Sequence, residues 1–212
     1  PRDVKSLLDI GCGNGAFMAF LEQRSSSIQM LGVERSNAAR DAAICSSPVV
    51  DGSIDSLQYD DRTFDLLSAL EVIEHLPWGV YEQALKEMER VARKYILISV
   101  PYRETRQVVK CPYCNCRVDS NYHMRRFDEI RMEQLFRDYR CVKHQLVSIP
   151  DYLFAPIFRT GYALVSGRNN FPKTALCPQC GFAGNSIANK TLETPQARTR
   201  SQLRTLLKDR LP

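Results

Sequence analysis

The chain opens on a short apolar run, Val4-Lys5-Ser6-Leu7-Leu8-Asp9-Ile10, which ends in a glycine-rich stretch and passes into a helix-forming segment from Ala16 to roughly Arg24. Met30 to Val33 reads as a second strand ending at Glu34, and a helical pattern over Asn37 to Ile44 leads through Pro48 to a third short strand at Val49-Val50. Phe64 to Leu70 makes a fourth strand, Val80 to Ala92 an amphipathic helix, and Tyr95 to Val100 a fifth strand stopped by Pro101. The strands are too continuously apolar to have one wet face. Their alternation with helices predicts an α/β fold, a doubly wound, mostly parallel sheet with helices on both faces.

The pattern then changes. Residues 101–126 are rich in Cys, Arg and Tyr and show no period, whereas Asp128 to Tyr139 regains helical spacing and Cys141 to Ile149 looks like a strand. This divides the chain into a core over 1–100, an insertion over 101–126, a helix and strand completing the core over 127–150, an irregular segment over 151–187, and a basic, partly helical tail over 188–212. At 212 residues one main core is expected, burying roughly 70% of the unfolded surface. Hydrophobic residues at 44% and charged residues at 25% are ordinary for a globular protein.

The net charge of +5 changes this picture little, because the tail holds most of it: Lys190, Arg198, Arg200, Arg204, Lys208 and Arg210 against Glu193 and Asp209. A solvated tail accounts for it as well as nucleic-acid binding does. No apolar run reaches membrane-spanning length and no signal-peptide pattern opens the chain, so the expectation is a cytoplasmic protein without membrane insertion. Oligomeric state is not readable.

Candidate chemistry begins at the loop Gly11-Cys12-Gly13-Asn14-Gly15. Gly11, Gly13 and Ala16 satisfy the G-x-G-x-x-G/A spacing of dinucleotide sites, where glycines let the backbone turn tightly and approach a ligand. The spacing alone leaves the cofactor open. Asp9, two residues before the first glycine, narrows it: a carboxylate there suits an ammonium and would repel a pyrophosphate. Glu34, at the end of the second strand, can accept both ribose hydroxyls.

The stretch Leu7 to Phe17 resembles motif I of class I S-adenosylmethionine-dependent methyltransferases of the type 11/12 kind, and Leu31-Gly32-Val33-Glu34 resembles their motif II. Asp51 to Leu57, Thr63 to Leu67 and Glu71-Val72-Ile73-Glu74-His75-Leu76-Pro77 follow the same order, so the resemblance covers about residues 4–100, with a weaker echo in His123 to Phe136. It implies a Rossmann-like fold and S-adenosylmethionine held by Asp9, Gly11, Cys12, Gly13, Gly15, Glu34, Arg35, Asp51, Ser53, Ile54, Leu70 and Glu71. Several relatives carry an acid facing the adenine amine where this chain has Ser53. Such relatives usually have an N-terminal helix over the cofactor, whereas this sequence begins only a few residues before its first strand, so a shortened chain is expected.

Glu71 is expected at the carboxyl end of the fourth strand, with Glu74 and His75 opening the next helix. Ligands gather outside those strand ends in open α/β sheets. His75 can serve there as a general base for a hydroxyl acceptor, with Glu71 beside it; equally, acids at a helix start satisfy its dipole and a histidine there can simply bond the backbone. Small-RNA 3′-terminal 2′-O-methyltransferases carry a similar Glu-x-x-Glu-His segment plus a later histidine that together hold a divalent metal. That resemblance implies the set Glu71, Glu74, His75 and His123.

Cys111-Pro112-Tyr113-Cys114 and Cys177-Pro178-Gln179-Cys180 look like the two knuckles of a zinc ribbon, each pair chelating one side of a tetrahedral, structural site. Cys116 lies close enough to compete for the assignment, and redox dithiols are the alternative. Cys12, Cys45 and Cys141 read as small buried or loop residues. The reading that results is S-adenosylmethionine-dependent methyl transfer to an oxygen of a small-molecule or glycan acceptor, with a structural zinc. The alternatives are a metal-dependent RNA methyltransferase and a noncatalytic, zinc-stabilised scaffold.

Overall fold

The computed structural model describes residues 3–25, 27–104, 108–119 and 121–147, together with Phe171, Cys177, Gln179, Cys180 and Phe182. The expected irregular segment lies outside these residues apart from those five, and the basic tail lies outside them entirely. The chain forms two units, one of residues 1–107 with 121–159 and one of residues 108–120 with 160–212.

The first unit is built on β1 (Ser6–Ile10), β2 (Gln29–Val33), β3 (Val49–Val50), β4 (Phe64–Leu70) and β5 (Ala92–Ser99). They form one sheet in the order β3-β2-β1-β4-β5 with every pairing parallel. Successive strand residues face opposite sides, and β1 shows what that does here. Leu7 joins a cluster with Met18 of α1 (Ala16–Glu22) and Met30, whereas Leu8 and Ile10 join the larger cluster with Tyr81, Ala84, Met88 and Val91 of α3 (Val80–Val91). Two covered faces explain why β1 and β4 read as continuous apolar runs. The four buried α3 positions recur every three or four residues, the stripe of a helix with one face on the core.

Local signals set the boundaries. Gly79, at φ 87, precedes α3, and its N–H donates to the Glu82 carboxylate at 2.6 Å. The Ser36 hydroxyl caps α2 (Asn37–Asp41) by accepting from Ala39 N at 3.3 Å. At the amino end of the sheet Asp65 is buried and accepts from Lys5 N at 2.9 Å, with Arg93 and Lys94 paired to it at 2.7 and 3.2 Å. These bonds hold its carboxyl far below the usual carboxylate range.

Four expectations change. Glu74 and His75 lie on a 3-10 turn, Ile73–His75, and α3 begins only at Val80. The helix expected over Asp128–Tyr139 forms as α4 over Glu129–Glu133 alone. Arg137 N and Asp138 N donate to Glu89 Oε1 at 2.5 and 2.9 Å, which takes them away from any helical ladder, while Phe136 and Tyr139 still pack on the core. Residues 141–147 of the expected strand carry none; Val142, Leu146 and Val147 are exposed there. The stretch 101–126, which shows no period, contains an antiparallel ribbon.

That ribbon belongs to the second unit: β6 (Val108–Lys110) pairs with β7 (Arg117–Asp119). Its turn carries Cys111, Cys114 and Cys116, closed by Cys111 N to Cys116 O at 2.9 Å and Asn115 N to Cys111 O at 3.0 Å. In the same unit Phe182 stacks on Tyr113 and meets Phe171 edge-on.

Candidate active site

The strand order reverses between β1 and β4, the place where open α/β sheets leave a crevice at their carboxyl ends. The glycine loop lies at the end of β1. Gly11, Gly13 and Gly15 have φ of 65°, 57° and 74°, a region L side chains avoid. A Cβ on Gly11 would lie 2.7 Å from a Val72 methyl and one on Gly15 would lie 2.3 Å from Cys45 Sγ. The loop is tied to β2 by Gly11 N to Val33 O at 2.8 Å.

Glu34, at the end of β2, accepts from Gly13 N at 3.0 Å and Ser36 N at 2.7 Å. Its backbone oxygen takes Arg40 Nη1 at 2.6 Å, and the same guanidinium pairs with Asp51 at 2.7 Å. A carboxylate with two backbone donors is fixed in direction and keeps lone pairs for ribose hydroxyls. Cys12 is half-buried, and burial pushes its thiol up to about 12, so it stays protonated beside Asp9 and Glu34. Arg35 is exposed, Ile54 is buried in the core, and the Ser53 hydroxyl is engaged with Asp55.

Asp9 sits deeper than the mouth of β1, only 3% exposed, with Ser68 Oγ donating to it at 2.6 Å. Burial pushes its carboxyl up to about 6, against the pull of the Ser68 bond. A buried carboxylate with one neutral partner is short of a cation.

At the end of β4, past Leu70, Glu71 is a non-glycine residue at φ 56. Such strain costs roughly 1–2 kcal/mol. It is held by Glu71 N to Ser99 O at 3.0 Å and Ser99 Oγ to the Glu71 carboxylate at 2.7 Å. Glu74 follows, 0% exposed, with no hydrogen-bond partner on either carboxylate oxygen and His75 Nε2 3.9 Å from Oε1. Burial pushes it up to about 7, with Glu71 adding repulsion.

Glu74, His75 and His123 bring their ligating atoms within 4.8 Å of one another. The two imidazoles meet with centroids 4.7 Å apart, and His75 is held below its ordinary pKa by burial and by His123. The echo segment is tied to the 3-10 turn by Met124 N to Glu74 O at 2.7 Å and by Arg125 Nη1 to Ile73 O and Leu76 O at 3.0 and 2.5 Å. Arg125 also lies 3.9 Å over the Tyr81 ring. Ser68, Ser99, Arg125 and Glu104, whose carboxylate bonds His123 Nδ1, carry no sequence signal that singles them out.

In the second unit Cys111, Cys114, Cys177 and Cys180 bring their sulfurs within 4.8 Å of one another. Cys111 and Cys180 are 3.7 Å apart, and Cys114 and Cys177 are 3.6 Å apart. A tetrahedral thiolate site with metal–sulfur bonds of about 2.3 Å needs sulfurs about 3.8 Å apart. Cys116 touches Cys177 at 3.2 Å and falls outside the four.

The parallel sheet, its reversal of strand order and the glycine loop at the end of β1 together define a Rossmann-like fold. Residues 8–97 match the family model described as a methyltransferase domain. Among solved structures, the PH0226 protein from Pyrococcus horikoshii OT3 is 22% identical with a TM-score of 0.44, the match covering 48% of each chain. A possible histamine N-methyltransferase from Thermotoga maritima is 27% identical with a TM-score of 0.40, over 47% of this chain and 45% of that one. The methyltransferase domain of bacterial CtHen1-CN is 22% identical with a TM-score of 0.41, over 49% of this chain and 61% of that one. The matched part spans roughly half the length of these structures. No curated protein matches the chain at a significant level. Among the described residues no helix is long and apolar enough to cross a membrane.

Proposed function

We propose that the protein transfers a methyl group from S-adenosylmethionine to an oxygen of a small-molecule or glycan acceptor. The observation that carries the reading is Asp9: a buried carboxylate with a single neutral partner, two residues before the glycine loop and beside β2, which leads into Glu34. S-adenosylmethionine supplies an electrophilic methyl on a sulfonium. Asp9 would take the ammonium of its amino-acid moiety, Gly11, Gly13 and Gly15 would let the backbone approach it, and Glu34 would accept the ribose hydroxyls. Asp51, Ser53 and Ile54 would border the adenine, Leu70 and Glu71 the reacting end, with Cys12 and Arg35 at the rim.

His75 is neutral around pH 7 because its pKa is lowered, so it can accept the acceptor's proton as the oxygen attacks. Glu71 would orient that acceptor. Orientation and exclusion of water supply the rest of the acceleration. Incubation with S-adenosylmethionine and a panel of hydroxyl acceptors, read by S-adenosylhomocysteine release, tests the reading; no turnover with any acceptor in a protein that binds the donor would count against it.

A second reading is favoured by Glu74. Its buried carboxylate, without a hydrogen bond and beside two imidazoles, has the donor chemistry of a divalent cation site. Glu74, His75 and His123, with Glu71 alongside, would hold the ion against the hydroxyls of an RNA 3′ end, where it supplies Lewis acidity. Turnover that EDTA abolishes and manganese restores selects this reading; indifference to both selects the first. In the second unit, the four thiols fit a structural zinc that closes the knuckles and leaves no open position for substrate.

A further inference from the structure

We propose that Glu104 is a positioning residue for His123: it holds the ring at Nδ1 and so assigns Nε2 as the nitrogen that serves the Glu74–His75 cluster. The inference rests on the second reading above, in which that cluster takes a divalent cation. Glu104 belongs to none of the motifs, yet both of its oxygens are committed. One accepts from Asn121 Nδ2 at 3.1 Å and the other bonds His123 Nδ1.

The backbone beneath it is fixed as well. Tyr102 forms a parallel bridge with Phe127, Arg103 N donates to Phe127 O at 2.8 Å, and Phe127 is only 1% exposed. The side chains of Glu104 and His123 are 23% and 9% exposed. An exposed ion pair between mobile side chains would set nothing. This pair is anchored through a core aromatic on one side and, through Met124 N to Glu74 O, to the 3-10 turn on the other.

The chemistry follows from what each partner can do. A carboxylate only accepts, so the imidazole nitrogen facing it carries the proton and the other nitrogen of the neutral ring carries the lone pair. Imidazole ligands of metals are oriented in this way, and loss of the outer partner weakens the site. If Glu104 served only to join the chain at Asn121 and His123, its removal would lower stability and leave the tautomer alone.

The chain has three histidines, so imidazole nitrogen NMR resolves His123, assigned by its loss in His123→Gln. In the metal-free full chain, at a pH high enough that the imidazoles are neutral, the wild type is expected to show the Nδ1-protonated tautomer. Glu104→Gln keeps it through the amide oxygen, and Glu104→Ala shifts it towards the Nε2-protonated form. Calorimetric titration with Mn²⁺ is expected to show affinity lowered roughly 10- to 100-fold in Glu104→Ala and far less in Glu104→Gln. Asn121→Ala, which removes the other bond to Glu104, should leave the tautomer unchanged and so separates positioning from simple closure. An unchanged tautomer in Glu104→Ala overturns the proposal, and Glu104→Leu, which also removes the acceptor but keeps most of the volume, decides in the same way if the alanine variant does not fold. Absence of Mn²⁺ binding in the wild type removes the cation reading, and the tautomer then decides the role of Glu104 by itself.

Discussion

Replacing Asp9 by Asn removes one ionisable proton and nearly no volume, and the structure gives its consequences a sign. The Asp9 carboxyl is raised from 3.8 to about 6 because burial disfavours the charged form. A raised acid costs the fold nothing below its unfolded pKa and destabilises progressively as pH rises through the folded one. The difference of about 2.2 units is worth about 3 kcal/mol, present in full above pH 6 and absent below pH 4. Asn at this position still accepts from Ser68 Oγ through its amide oxygen. Asp9→Asn without ligand should therefore be up to about 3 kcal/mol more stable than wild type at pH 8 and equal to it at pH 4, in urea unfolding followed by circular dichroism.

Binding should move the other way. An ammonium opposite Asp9 favours the carboxylate, so wild-type affinity for S-adenosylhomocysteine should fall towards tenfold per pH unit below about 6. The variant should bind weakly with a flat pH profile. An Asp9→Asn protein less stable than wild type at pH 8, or one that binds S-adenosylhomocysteine with wild-type affinity, would refute the reasoning.

Other outcomes follow from the same geometry. Gly13→Ala and Gly15→Ala both place a side chain at positive φ, costing roughly 1–2 kcal/mol, but only the Gly15 methyl collides, with Cys45 Sγ; urea midpoints should rank Gly15→Ala clearly below Gly13→Ala, and equal losses would contradict this packing. Asp65 has a lowered pKa from its Lys5, Arg93 and Lys94 partners, so its stabilisation is complete above about pH 4 and disappears as pH falls below the carboxylate range; Asp65→Asn should flatten that acid limb in pH-dependent melting. Metal analysis of the purified protein should find about one zinc per chain, as four thiolates close one tetrahedron. Cys111→Ser should lower that figure below half and Cys116→Ser should leave it intact; equal loss in both would move Cys116 into the ligand set.

Much of the first unit is legible in the sequence, because β1 and β4 are largely buried apolar runs and strand ends coincide with turn residues. Gly11 closes β1, Glu34 ends β2, and Pro101 follows the end of β5. Asp9, Gly11, Gly13, Gly15 and Glu34 lie at fixed offsets from the ends of β1 and β2, so their proximity follows from the strand pattern and the parallel pairing. The ribbon β6–β7 was not legible, since strands of three residues show no period. Nor was the length of α4, where Glu89, forty-eight residues from Arg137, competes for backbone donors that local spacing assigns to a helix. Glu104 and Ser68 are invisible for a related reason: each acts through one partner distant in sequence, His123 and Asp9, and no spacing marks such pairs.

The central claim is that the crevice over β1 and β2 binds the methyl donor. Calorimetric titration of the full chain with S-adenosylhomocysteine tests it most directly, with Glu34→Ala and NADH as controls. One equivalent should bind to the wild type, with the heat largely lost in Glu34→Ala and none seen with NADH. A folded wild-type protein that takes up no S-adenosylhomocysteine, or that prefers NADH, would contradict it.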